Sequence, residues 1–431
     1  MDRTAGRPGT RRTRPGIRRT RLRTAVVVCA VALGTLATLG TPATAATGTA
    51  NAVTGTATGT APSASSDRAA RADTPWKLRT PLSETASREF WDVAATGAKD
   101  AWAVGRTTDG ADGPAPLIRH WNGSTWTDVP AASTDGKAAQ LDKVAAAAPD
   151  DAWAAGTLAD NTSAPIVLQH WDGMKWTKVG HAAPAEGSLS FVGDLAAFGA
   201  KSAWLTSFDW DPNGDTQVSR LERWTGARWK KVSLPAAPGG GEVQPWDITG
   251  TGPDDVWVTA SAMTGEVSVP LLYHWNGSGW TVREVPAPGE HPTGWVANHA
   301  VATGRNSVYV VGKTNDPQSP TATMATRWTG SRWQSLPTLP LTEANAAGAD
   351  GAGRPWIAGW APGKPHSVLT RWTGTGWATE ELPADVTEHS EMSTVLGVAG
   401  VPGTKGVLAA GTAGCASDPV QCGMLVSRDL G

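Results

Sequence analysis

The chain has 431 residues, with 50 glycines and 31 prolines, more than a helix-rich protein carries, and its 23 tryptophans stand against 4 phenylalanines and 2 tyrosines. The formal charge is −2, but nine arginines fall in the first 23 positions against one acid, Asp2, so the remaining body holds 28 basic and 38 acidic residues, a charge near −10. Such a body is a poor ligand for polyanions, which argues against nucleic acid as a partner, and the composition excludes a collagen-like, coiled-coil or multi-spanning membrane protein.

Arginines at 11, 12, 14, 18, 19, 21 and 23 precede an apolar run from Ala25 to Leu39, followed by Ala43-Thr44-Ala45. A positive segment, an apolar segment and a small-residue site form the layout of a secretory signal peptide, with cleavage after Ala45. The alternative, a retained anchor, is the poorer fit because the run is short and rich in Ala, Thr and Gly. Residues 46–73 are Ala, Thr, Gly and Ser with almost no large apolar side chain. They cannot bury enough surface to offset their ordering entropy, so they read as a disordered linker.

A repeat occupies the rest. Its first copy reads WDVAATGAKDAWAVG, a loop, then APLIRHWNGSTWTDVP; its second reads LDKVAAAAPDDAWAAG, a loop, then APIVLQHWDGMKWTKV. The DAW tryptophan has counterparts at Trp204, Trp257, Tyr309, Trp356 and Leu408, and the tail motif [HR]-W-x-G-x-x-W ends at Trp126, Trp176, Trp229, Trp280, Trp333 and Trp377. Four short alternating segments at a period near 50 residues predict β-propeller blades, with tight hairpin turns at Asn-Gly and Asp-Gly. The seventh copy stops at Arg428-Asp429-Leu430-Gly431 without its outermost strand, whereas Trp76 lies one period before Trp126. The expected fold is therefore an all-β, seven-bladed propeller over 74–431 whose N-terminal strand completes the last blade, leaving no open edge.

The DAWAVG and HWNGxxW elements resemble those of Trp-rich β-propellers in secreted proteins of high-GC bacteria. A more distant likeness is to the kelch and galactose-oxidase group, whose oxidases bind copper through two tyrosines and two histidines. Tyr273 and Tyr309 both stand at or beside repeat positions, so that copper site is not carried over. The resemblance implies the fold and secretion; it does not imply an activity.

Candidate functional residues are departures from the repeat on the loop face around the central channel. Trp91 and Trp246 hold equivalent places where other copies have Asp142, Gly193, Asn298, Asn345 and Gly397, and Trp295, Trp360 and Trp210 are expected on the same face. Exposed indoles stack on sugar rings or partner side chains, and Asp92, Asp247 and Glu343 offer hydrogen bonds to hydroxyls. The structural alternative is that these tryptophans plug the channel mouth. His181, His291, His299, His366 and His389 are read as lying in or near loops, and no catalytic signature is recognisable. The expectation is a secreted, monomeric binding module for a glycan or an extracellular protein, without a membrane span in the mature form. The alternative is a polysaccharide hydrolase or lyase with carboxylates at the mouth.

Two further features stand out. Asp209, Asp211, Asn213 and Asp215, with Gln217, resemble the opening of a calcium-binding loop, although Arg220 replaces the bidentate glutamate; an ordinary Asp/Asn/Gly turn is the alternative. Cys415 and Cys422 flank a hairpin loop and are expected to form a disulfide.

Overall fold

The computed structural model describes residues 75–430, apart from 111–112, 159–164, 182–187, 212–215, 265–266, 290–294, 315–320, 389–391 and 416–420. The proposed signal peptide and linker lie outside the described residues. Seven four-stranded antiparallel sheets follow one another, each an up-and-down blade. Their inner strands are Arg88–Gly97, Ala139–Ala148, Leu189–Ala197, Val243–Gly252, Trp295–Gly304, Glu343–Ala349 and Thr394–Gly400. Blades one to six are continuous in sequence. Blade seven takes its outer strand from the other end of the chain: Lys77 pairs with Ser427 and Leu78 with Val426.

The repeated tryptophans form a belt between blades. Trp102 of blade one meets Trp171 and Trp176 of blade two at centroid distances of 4.9 and 5.2 Å. Trp153 repeats this against Trp224 and Trp229, and Trp204 against Trp275 and Trp280. Trp257 lies in one cluster with Trp328 and Trp333, and Tyr309 with Trp372 and Trp377. At the joint where the ring closes, Trp356 meets Trp76 edge-on at 5.5 Å, and Leu408 packs with Trp121 and Trp126 of blade one. Burying one such indole is worth roughly 4–6 kcal/mol as an upper figure.

The His/Arg position serves the belt. His120, His170 and His274 bond Asp100, Asp151 and Asp255 at 2.7, 2.8 and 2.7 Å while covering Trp102, Trp153 and Trp257. Arg223 and Arg327 lie over Trp204 and Tyr309 in the same way. A flat cation or imidazole suits this place, which is why the two residue types exchange.

The residue before it is a buried polar anchor that sequence reading missed. Arg119 reaches Thr80, Gln169 accepts from the Ala132 N–H at 2.8 Å, Glu222 pairs with His181, and Tyr273 donates to the Pro235 carbonyl at 2.9 Å. Each ties down the segment that crosses from the preceding blade. The residue type differs in each case because each crossing segment presents a different group. Tyr273 and Tyr309 are thus both buried in packing.

Blade seven corrects two alignments. Leu408 pairs with Ser427, so Ser427 holds the His position and Arg428 the first Trp position, one residue earlier than the motif suggested. Arg428 accordingly lies over Trp356 of blade six. In its inner strand the bulge falls on Leu396, not Gly397. Gly397 stands instead at the Asp92 position, where a Cβ would come within 2.7 Å of the Asp92 Cα.

Candidate functional site at the channel mouth

The inner strands share one irregularity: the register slips between Phe90 and Asp92, Leu141 and Lys143, Val192 and Asp194, Ala297 and His299, and Ala344 and Ala346. In blade four the slip spans Pro245 to Ile248 and contains Trp246 and Asp247. A bulge of this kind re-aims side chains at a strand rim. It also explains the final glycine of DAWAVG: a Cβ on Gly105 would sit 1.8 Å from the Glu89 carbonyl oxygen.

The bulged residues are Trp91, Asp142, Gly193, Trp246, Asn298, Asn345 and Leu396. Trp91 and Trp246 are both half-buried. The Trp91 Nε1 donates to Glu89 at 3.1 Å, and the Arg106 guanidinium stands 5.0 Å from its ring. Arg106 donates through Nε and Nη2 to Glu89 at 2.9 and 3.2 Å, and through Nη1 to Gln140 at 3.2 Å. Gln140 donates in turn to Asp142 at 3.0 Å. The Trp246 Nε1 donates to Ser261 at 3.0 Å, and its ring meets Phe208 edge-on at 6.3 Å. These indoles are pinned by polar bonds at the mouth, not sunk into the belt.

The other proposed aromatics divide. Trp360 ends the second strand of blade six, half-buried, its carbonyl accepting from the Thr342 N–H at 2.7 Å. Trp210 is half-buried on the second strand of blade three. Trp295 does not join them. It is 3% exposed and lies in the cluster joining blades four and five, its Nε1 donating to the Val285 carbonyl. Starting an inner strand put it beside a neighbouring blade, so the expectation of an exposed face is corrected.

One residue further on, seven positions converge on the channel: Asp92, Lys143, Asp194, Asp247, His299, Ala346 and Gly397. His299 therefore stands on an inner strand, not in a loop as expected. Three of the carboxylates stitch adjacent inner strands together. Asp92 accepts from the Val144 N–H at 3.0 Å, Asp194 from Ile248 at 2.8 Å and Asp247 from Ala300 at 2.6 Å. They satisfy N–H groups at sheet edges that have no strand partner on the channel side.

Lys143 stands among them, 4.0 Å from Asp194, with 29% of its side chain accessible against 15% for Asp194. Burial pushes Asp194 up to about 8, helped by its neighbour Asp247 and opposed by Lys143. Burial also raises Asp247, Asp92 to about 6 and Asp142 to about 7. Burial opposes the Lys143 charge, but Asp92, Asp194 and Asp247 hold its ammonium above the ordinary lysine range. Burial and the Lys143 charge push His299 down to about 4. Below this ring the channel is lined by small apolar residues such as Ala94, Ala145, Ala196 and Gly400 around a cavity of about 250 Å³.

The calcium-like set is only partly described: Asn213 and Asp215 lie outside the described residues. Asp209 accepts from Ser190 at 2.7 Å and is ion-paired with Arg220. Asp211 ends the same strand, and Gln217 donates to Ser219 at 3.2 Å. Arg220, which replaces the bidentate glutamate in the loop pattern, thus supplies a resident cation to the first proposed ligand. No group of His, Cys, Asp and Glu fit to hold a metal ion occurs among the described residues. Cys415 and Cys422 do form a disulfide, with a Cα–Cα distance of 5.3 Å.

No protein-family model matches the chain, and no curated protein matches it. Solved structures do. A GH74 xyloglucanase from Xanthomonas campestris superposes with a TM-score of 0.51 at 16% identity, over 78% of this chain and 53% of that one, so the chain spans about half the length of that enzyme. SapL1 lectin in complex with α-methyl fucoside gives a TM-score of 0.42 at 13% identity, over 70% and 99% of the two chains. An ulvan lyase of polysaccharide lyase family PL25 gives 0.43 at 11%, over 76% and 89%. At these identities the xyloglucanase likeness is one of fold.

Proposed function

We propose that this propeller is a secreted, monomeric binding module that takes a glycan at the channel mouth. The observation that carries the reading is the pair Trp91 and Trp246. Both leave the packing belt, occupy the same bulge in two different blades, and have their indole N–H groups tied to polar partners at the rim. A half-covered indole with its polar edge satisfied offers its ring to the C–H face of a sugar. Asp142, Asn298 and Asn345, at the equivalent bulges, supply amide and carboxyl groups to hydroxyls. Residues 1–45 would direct export and residues 46–73 tether the propeller. Among the described residues no helix is long and apolar enough to cross a membrane. Calcium forms no part of the proposal, because Asp209 already has Arg220.

A second reading has one observation in its favour. Asp142, raised to about 7 by burial, stands at the mouth where a proton donor for glycosidic or lyase chemistry would be placed. Asp92, Asp194 and Asp247 are engaged with backbone N–H groups and are poorer candidates. A glycan array with product analysis separates the readings. Retained glycan without released product is expected, with retention lost in the Trp91→Ala/Trp246→Ala variant. Released product that disappears in Asp142→Asn would favour the enzyme. An extracellular protein as sole ligand would show as an empty array.

A further inference from the structure

Resting on the glycan reading, we infer that the mouth selects neutral glycans and rejects chains bearing uronate or sulfate groups. An acidic sugar is recognised by a cation with hydrogens free to turn to it, above all the arginine fork. On the inner and second strands the described cationic side chains are Arg88, Arg106, Lys143 and Lys313, and all four face carboxylates. Arg88 donates to both oxygens of Asp128 at 2.9 and 2.8 Å. Arg106 spends Nε and Nη2 on Glu89 and Nη1 on Gln140. Lys313 donates to Glu343 at 2.5 Å, across from blade five to blade six. Lys143 lies in the channel with Asp92, Asp194 and Asp247 around it. An incoming anion would have to displace a carboxylate at the rim, with further carboxyl groups beneath it.

A neutral sugar meets no such obstacle. Its hydroxyls exchange with Gln140, Asp142, Asn298, Asn345 and Ser261, and its C–H face needs only an indole. The same geometry states how the selection would be broken. Replacing Glu89 or Glu343 by its amide keeps the shape and frees the fork of Arg106 or the ammonium of Lys313.

The test measures retention of polygalacturonate at low ionic strength by the full chain and by Glu89→Gln and Glu343→Gln. The parent is expected to show no retention. Glu89→Gln should bind at least about tenfold more strongly than the parent, the worth of one charge-assisted pair, and lose that gain in salt. Glu343→Gln should gain less, because lysine offers a point charge and no fork. Retention of polygalacturonate by the parent, or no gain in either variant, overturns the inference. Failure of the glycan reading shows differently, as a parent that retains no neutral glycan on the array.

Discussion

The belt of tryptophans and the wall of the channel are built from the same seven repeats, yet they follow opposite rules. In the belt the same residue recurs at nearly every joint, and Trp102, Trp153 and Trp204 meet their neighbours in nearly the same geometry. On the channel wall the equivalent positions carry Asp92, Lys143, Asp194, Asp247, His299, Ala346 and Gly397. The reason is connectivity. Beyond its own blade, a belt residue meets only the next one, so one solution can be copied around the ring. Wall residues converge on a single space, so copying one would place seven like groups together. Uniformity marks packing, and divergence marks the place where chemistry can be specified.

The largest test of this contrast is at the closing joint of the belt. Trp76 is 2% exposed, and its Nε1 donates at 3.0 Å to Glu380, which also accepts from Arg371 and Arg428. Deleting residues 74–82 should cost roughly 4–6 kcal/mol, about what Trp102→Ala costs at an interior joint. A chain beginning at residue 86 that melts with the full chain would show that the joints are not equivalent.

The wall should respond to charge where the belt responds to volume. Lys143→Met leaves Asp92, Asp194 and Asp247 without their cation and should cost about 3 kcal/mol, less than a fully buried pair because the site is partly accessible. Above pH 8, where Asp194 is ionised, adding Asp194→Asn should restore more than half of it in chemical denaturation. No restoration would mean that Lys143 matters only as a space-filler.

The disulfide lies beside the closing segment, where the Cys422 Sγ is 3.0 Å from the Leu82 carbonyl. Closing its short loop is worth about 2.5 kcal/mol in the chain-entropy model. In the chain from residue 46 onward, which excludes Cys29, the denatured, unreduced protein should therefore show no free thiol, and Cys415→Ser/Cys422→Ser should melt lower. Two titratable thiols would remove the bridge from the closure.

The pH dependence has an unusual sign. Asp92, Asp142 and Asp194 titrate at about 6, 7 and 8 in the folded chain, above their unfolded values. Each thus stabilises at low pH and loses that contribution as pH rises from about 4 through the folded value. His299, lowered to about 4, opposes this between about 4 and 6.5, where the unfolded chain takes up its proton. The carboxyls outnumber it, so the denaturation midpoint should fall from pH 5 to pH 8, and Asp194→Asn should flatten the slope. A midpoint that rises over this range would refute the account of the wall. The smallest effect is expected at the rim: Trp91→Ala/Trp246→Ala should shift the melting temperature by only a few degrees, whereas a loss comparable to Trp102→Ala would place these two residues in the packing after all.

The period, the alternation of each strand, the tryptophan belt and the closing strand were all legible in the amino-acid order. They are local patterns repeated about every 50 residues, and Cys415 and Cys422 flank a single hairpin loop. The Trp91 and Trp246 column was legible as well, because an aromatic stands out where other copies have small or polar residues. The next column was not: Lys143, Asp194 and His299 are one per blade, far apart in sequence, and gain meaning only when the ring brings them together. Nor could the chain order reveal that Arg220 reaches Asp209, that Trp295 turns into a neighbouring blade, or that Leu396 and not Gly397 takes the bulge. Each depends on a bulge or a cross-strand contact, and a side chain's direction at such a place is decided by what the neighbouring blade leaves open.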